Sequence, residues 1–153
     1  MGITMATNIR EVQAYLLDEA EHAKMLTLRA LSYLGEKCVI EARDRSPEDS
    51  WVDQTGNLRS SVGYVISHNG KIVQYSGFQQ VKNGSEGSNT GKELAAELIK
   101  KYSSGYALVV VAGMNYAEYV EAMDNKVVLA SAELLARKEL PFMMKKLKTQ
   151  IAK

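Results

Sequence analysis

From Asn8 to Asp44 the chain carries no proline, and apolar side chains return at Val12, Leu16, Ala20, Ala23, Ala30, Leu34, Cys38 and Ala42. The spacing stays close to the helical period of about 3.6 residues and predicts one long amphipathic helix. Asn8, with Glu11 three residues on, makes a capping pair at its start. Ser46-Pro47 closes its end, because the residue before a proline is pushed out of the α region. Gly35 marks a point where the helix could bend or divide. A second apolar set, Leu17, Met25, Leu28, Leu31 and Val39, widens the stripe beyond what a small sheet needs to cover. Leu17, Met25 and Leu28 are therefore candidate interface residues.

The rest of the chain supplies that small sheet. After a polar run from Glu48 to Gly56, in which Trp51 stands alone, Ser61 to Ser67 alternates Val62, Tyr64 and Ile66 with Gly63, Val65 and Ser67. Asn69-Gly70 then signals a tight hairpin turn into a second strand, Ile72 to Phe78, because both central residues of such a turn need positive φ. A glycine-rich loop, Gln79 to Gly91, leads to a helix over Lys92 to Tyr102, with Asn89 and Thr90 placed to cap it. The nearly continuous apolar run Tyr106 to Ala112 predicts a central strand covered on both faces by helices. Met114 to Met123 reads as a short helical or irregular turn, Asn125 to Leu129 as a brief strand, and a last helix starts near Ser131. Pro141 either kinks that helix or restarts it. The expected fold is a single α+β domain over residues 1–153, with long N-terminal and C-terminal helices packed on a small, mainly antiparallel sheet and a loop and helix inserted at 79–102.

Little in the sequence points to catalysis. The 153 residues are 46% apolar and 24% charged with a net charge of +1, so charge alone implies neither nucleic acid nor an acidic partner. Cys38, the sole cysteine, has the helical spacing of a buried hydrophobe, and His22 and His68 share no ligand spacing with it. No catalytic, cofactor or metal set is assigned. The N-terminus has no basic region followed by an apolar run, and no stretch is long and apolar enough for a bilayer, so a soluble protein made in a cytoplasm is expected, without a membrane partner. Gly87 to Lys92 offers a nucleotide-binding alternative, but Glu86 stands where a phosphate loop has its first glycine and Glu93 where it has a hydroxyl for magnesium. Glu118 and Glu121 suit a solvated helix edge as well as an acid–base pair. Lys145, Lys146, Lys148 and Lys153 offer a small nucleic-acid module as a further alternative, although Phe142 is the one aromatic residue among them. Their position near a helix C-terminus explains them as a solvated basic face, with no ligand needed.

One stretch has unusual grammar: Asp53-Gln54-Thr55-Gly56-Asn57-Leu58-Arg59-Ser60-Ser61-Val62. Thr55 can cap a helical turn, Gly56 can take a strained backbone angle, Leu58 can dock into the core, and Arg59 can fork onto a carboxylate or carbonyls. In its context, this stretch resembles the neck or tail-completion family of tailed phages and prophages. The matching residues are Thr55, Gly56, Leu58, Arg59, Ser61 and Val62, then, after the apolar strand, Tyr116, Ala117, Tyr119, Val120 and Glu121. The chain departs from the family where Ala122-Met123-Asp124 replaces a glycine that many members carry, and in the segment 79–102. The resemblance implies a non-catalytic ring subunit that joins head to tail in the virion after assembly in the bacterial cytoplasm. It implies contacts with further copies of itself and with neighbouring connector and tail proteins, while DNA passes through the lumen without sequence recognition. A monomer in isolation is compatible with that role if a neighbouring ring supplies the template. A ring subunit needs two complementary patches. The surplus face of the first helix with the hairpin, and the region Met114 to Glu121, are the expected pair.

Overall fold

The computed structural model describes residues 8–44, 53–114, 117 and 128–153. Along the chain lie α1 (Ile9–Arg43), α2 (Asn57–Ser60), β1 (Val62–His68), β2 (Lys71–Gly77), α3 (Ser85–Ile99), β3 (Tyr106–Ala112) and α4 (Ala130–Ile151). The arrangement is α+β: a three-stranded antiparallel sheet in the order β2-β1-β3 lies between helices. Alternation along the strands sorts the core into two faces. Val62, Tyr64 and Ile66 of β1, with Leu108, Val110 and Ala112 of β3, face Leu34, Cys38, Val39 and Ala42 of α1 and Ala132 of α4. Val65, Val109 and Val111 face the other way, onto Phe78 and onto Ala95 and Ile99 of α3. Each large aliphatic side chain so buried contributes about 1.5–3 kcal/mol.

The long helix forms as its pattern predicts. It runs unbroken for 35 residues from the Asn8 cap, whose side chain accepts the Arg10 N–H, to Asp44. Gly35 does not divide it; the Tyr64 ring lies against this position, so close that an added Cβ would sit 2.8 Å from it. The Tyr64 hydroxyl reaches Glu36 at 3.1 Å, and Ser76 donates to the same carboxylate oxygen at 2.7 Å. Burial first, and then the Glu36 charge, hold the Tyr64 hydroxyl above its ordinary pKa. The hairpin turn is the one Asn69-Gly70 demands, with φ of 51° and 76°. Asn69 also accepts the Gly105 N–H at 2.8 Å, tying the turn to the start of β3.

Several expectations are corrected. β3 has the predicted bounds, but it pairs with β1 alone and leaves β1 as the central strand, its residues Val62 to Ser67 all buried. A continuous apolar run reports cover on both faces, and here α1 and α3 supply that cover to a strand at the end of the sheet order. The two hairpin strands each lie one residue away from their predicted starts. The largest departure is the glycine-rich segment: Gly87 to Lys92 is not a loop but part of α3, which begins at Ser85. Asn89 and Thr90 therefore sit inside the helix rather than at its cap, and the Thr90 hydroxyl donates back to the Glu86 carbonyl. Gly87 and Gly91 are needed for contact. A Cβ at either would collide with the backbone carbonyl of Asn57 or Ser61 respectively. The segment expected as an insertion thus builds one of the three layers. Pro141 does not restart the last helix, since α4 continues through it. Trp51, Glu118, Glu121 and residues 125–127 lie outside the described residues, and Val128 and Leu129 are not in a strand.

Candidate functional site

The residues that carry the sequence motif meet at one joint, where the end of α1, the turn α2, the approach to α3 and the exit of β3 converge. Asp53 is its organiser. One carboxylate oxygen accepts the Gly56 N–H at 2.9 Å and the other the Arg59 N–H at 2.8 Å, so this side chain satisfies donors at the start of α2. Lys82 donates to the Asp53 carbonyl at 2.7 Å. Thr55, expected to be the cap, is exposed and accepts one long 3.3 Å bond from the Asn57 N–H. Gly56 takes φ of 84°, and the Val81 carbonyl lies where a Cβ would go.

Arg59 reaches a backbone carbonyl, one of the partners its sequence position suggests. Its guanidinium donates to the Arg43 carbonyl at 2.9 Å, satisfying an orphan carbonyl at the C-terminus of α1. Arg43 in turn donates to the Gln79 carbonyl at 3.2 Å. Burial lowers the Arg43 pKa, Asp44 opposes that shift, and the nearby Arg59 charge adds to it. The chain before β1 and the chain after β2 are thereby tied to the same helix end.

Two adjacent serines extend the joint. Ser60, fully buried, donates to the Gly56 carbonyl at 2.6 Å and accepts the Val81 N–H at 2.8 Å. Ser61 donates to the Leu58 carbonyl at 2.8 Å and accepts the Gly113 N–H at 3.1 Å, linking α2 to the end of β3. Both hydroxyl protons are committed to carbonyls, which is a structural use of serine and not an activated one. Val62 begins the central strand, with no exposed surface.

The two separated halves of the motif touch. Leu58, Ala117 and Val128 form a buried apolar cluster, with Ala112, Met114 and Leu129 packed around it. Tyr116, Tyr119, Val120 and Glu121 lie outside the described residues. Asp53, Asn57, Ser60 and Ser88 are structural residues that the motif reading passes over. Asn57 accepts the Gly87 N–H at 3.2 Å and Ser88 donates to the Phe78 carbonyl at 2.6 Å, both fastening α3. For Asp53, Asn57 and Ser60 the sequence signal is a short polar side chain within four residues of Gly56, which takes positive φ; Ser88 carries no such signal.

The candidate interface residues separate. Leu17 is 72% and Met25 56% exposed, whereas Leu28 is partly buried against the main core and is withdrawn from the surface set. Among the described residues no group of three or more histidine, cysteine or acidic side chains is arranged to hold a metal ion, and no helix is long and apolar enough to cross a membrane. No protein-family profile, curated protein or solved structure matches the chain significantly.

Proposed function

We propose that this chain is a non-catalytic structural subunit that joins head to tail in a tailed phage or prophage, working as a member of a ring in the neck or at the tail end. The observation that carries the reading is the joint itself: the two halves of the motif share one apolar cluster through Leu58 and Ala117. Asp53, Ser60 and Ser61 spend their side-chain polar groups on backbone partners rather than on an open cleft. A motif used in this way specifies a rigid shape, which is what a ring subunit needs. The helical state of Gly87 to Lys92 also favours this reading over a nucleotide site, because amides engaged in a helix and packed on Asn57 and Ser61 cannot curl around a phosphate.

The test is a deletion in the phage or prophage that encodes the chain. Electron microscopy of the lysate should show DNA-filled heads and separate tails that fail to join. Joined virions of normal appearance in the deletion would remove the proposal.

A further inference from the structure

The first helix is longer than the body it packs on. α4 runs back along it antiparallel: Cys38 hydrogen-bonds the Ala132 carbonyl, Lys37 pairs with Glu139 at 3.2 Å, and Met143 joins the cluster that holds Leu28 and Leu31. Beyond this pairing, every residue from Asn8 to His22 is exposed. The helical part of this arm is about 21 Å long at about 1.5 Å per residue. It displays Ile9, Val12 and Leu16 at helical spacing, flanked by Tyr15, with Ile9 73% and Leu16 60% exposed. Around that stripe stand Glu11, Asp18 and Glu19 against a single Arg10, while Glu21 pairs with Lys24 at 3.2 Å.

The last turns of α4 carry the opposite pattern. Leu147 is turned inward and buried, while Phe142, Lys145, Lys146, Thr149, Gln150 and Lys153 line a shallow groove on the outer side. Phe142 is 73% exposed, and no acidic side chain occurs between Phe142 and Ala152. None of Lys145, Lys146, Lys148 and Lys153 is in an ion pair among the described residues. An acidic apolar helix and a basic apolar groove therefore lie on one chain, at the same end of the antiparallel α1–α4 pair.

We propose that the α1 arm of one copy docks on the outer α4 groove of a second copy. Charge complementarity selects this pairing. Arm against arm would oppose carboxylates to carboxylates, and groove against groove would oppose lysines to lysines. The arm cannot fold back onto its own groove, because it continues one unbroken helix whose inner half is packed along α4. A contact between two different patches is heterologous, so each copy binds one neighbour by its arm and another by its groove, and the chain of copies closes into a ring where the rotation permits. The proposal deepens the ring-subunit reading, on which it rests for its biological role, by naming the contact.

Disulfide trapping with the purified full chain tests it. Protein carrying Leu16→Cys is mixed with protein carrying Phe142→Cys in a glutathione buffer, with Glu97→Cys on α3 as the surface control; the native Cys38 is buried. The mixed Leu16–Phe142 disulfide should exceed both homodisulfides and the Glu97 controls by on the order of tenfold, and salt should suppress it. Asp18→Lys with Glu19→Lys on the arm should abolish the excess, and Lys145→Glu with Lys146→Glu on the groove partner should restore it. A dominant Leu16–Leu16 product, or no excess over the Glu97 control, overturns the proposal. The two readings fail separately. A trapped pair alongside normal virions in the deletion removes the phage role and keeps the contact, whereas unjoined particles without trapping keep the role and remove the contact.

Discussion

Ser60→Ala removes one oxygen from the centre of the joint, and its cost can be worked from the geometry. The hydroxyl has no exposed surface, donates to the Gly56 carbonyl at 2.6 Å and accepts the Val81 N–H at 2.8 Å. After the substitution the Gly56 carbonyl keeps the Ser60 N–H at 3.0 Å, so that side loses an ordinary bond worth about 0.5–1.5 kcal/mol. The Val81 N–H, in a part-buried position, loses its acceptor and adds a desolvation cost of about 1–3 kcal/mol. Together the change should destabilise the protein by about 2–4 kcal/mol, a large part of the roughly 5–15 kcal/mol that holds such a domain together. In urea, with a slope near ~2 kcal/mol per molar, the midpoint should fall by about 1–2 M at unchanged slope. Thr55→Ala, which loses only an exposed 3.3 Å bond, should shift it by less than half as much. A Ser60→Ala midpoint within ~0.25 M of the parent, equivalent to about 0.5 kcal/mol, would refute the claim that buried side chain–backbone bonds secure the joint.

Gly91→Ala should destabilise by about 1–3 kcal/mol in urea unfolding, because its Cβ meets the Ser61 carbonyl and the Phe78 ring. At an uncrowded helix position the same change stabilises by about 1 kcal/mol, so a gain in stability would contradict the packing described for α3. Leu34→Glu places a carboxylate in the core beside Cys38 and Tyr64 and should cost at least about 3 kcal/mol, whereas Leu17→Glu on the exposed arm should change the midpoint by less than about 0.5 kcal/mol. Equal effects on circular-dichroism melts would show that the arm is not free of the body. Because Tyr64 is held above its ordinary pKa of 10.0, its contribution is complete at lower pH and is lost as pH rises through the folded value. Stability measured above about pH 10 should therefore fall more steeply in the parent than in Tyr64→Phe, and parallel profiles would rule the coupling out.

The parts of this protein written locally in the sequence are those whose physics is local. The helical period, the Asn8 cap and the proline beyond Asp44 define α1 almost to the residue, and the need for positive φ at Asn69-Gly70 defines the hairpin. The β3 bounds are equally legible, since an apolar run ends where its glycines begin. Tertiary structure decided the rest, because the deciding partner is distant in sequence in each case. Nothing near Gly87 and Gly91 announces that Asn57 and Ser61 will press against them, so a segment of poor helix formers reads as a loop until the packed helix satisfies its amides. The strand order depends on β3 pairing with β1 across some forty residues, and an apolar run cannot say whether one edge or two will be bonded. In the candidate site, Arg59 and Leu58 were legible as carbonyl contact and core contact, while Asp53 and Ser60 emerged only when α1, α2 and the approach to α3 were brought together. The same holds for the surface: periodicity marked Leu17, Met25 and Leu28 as surplus alike, and it took the distance each lies from α4 and the sheet to bury Leu28 and leave Leu17 and Met25 to solvent.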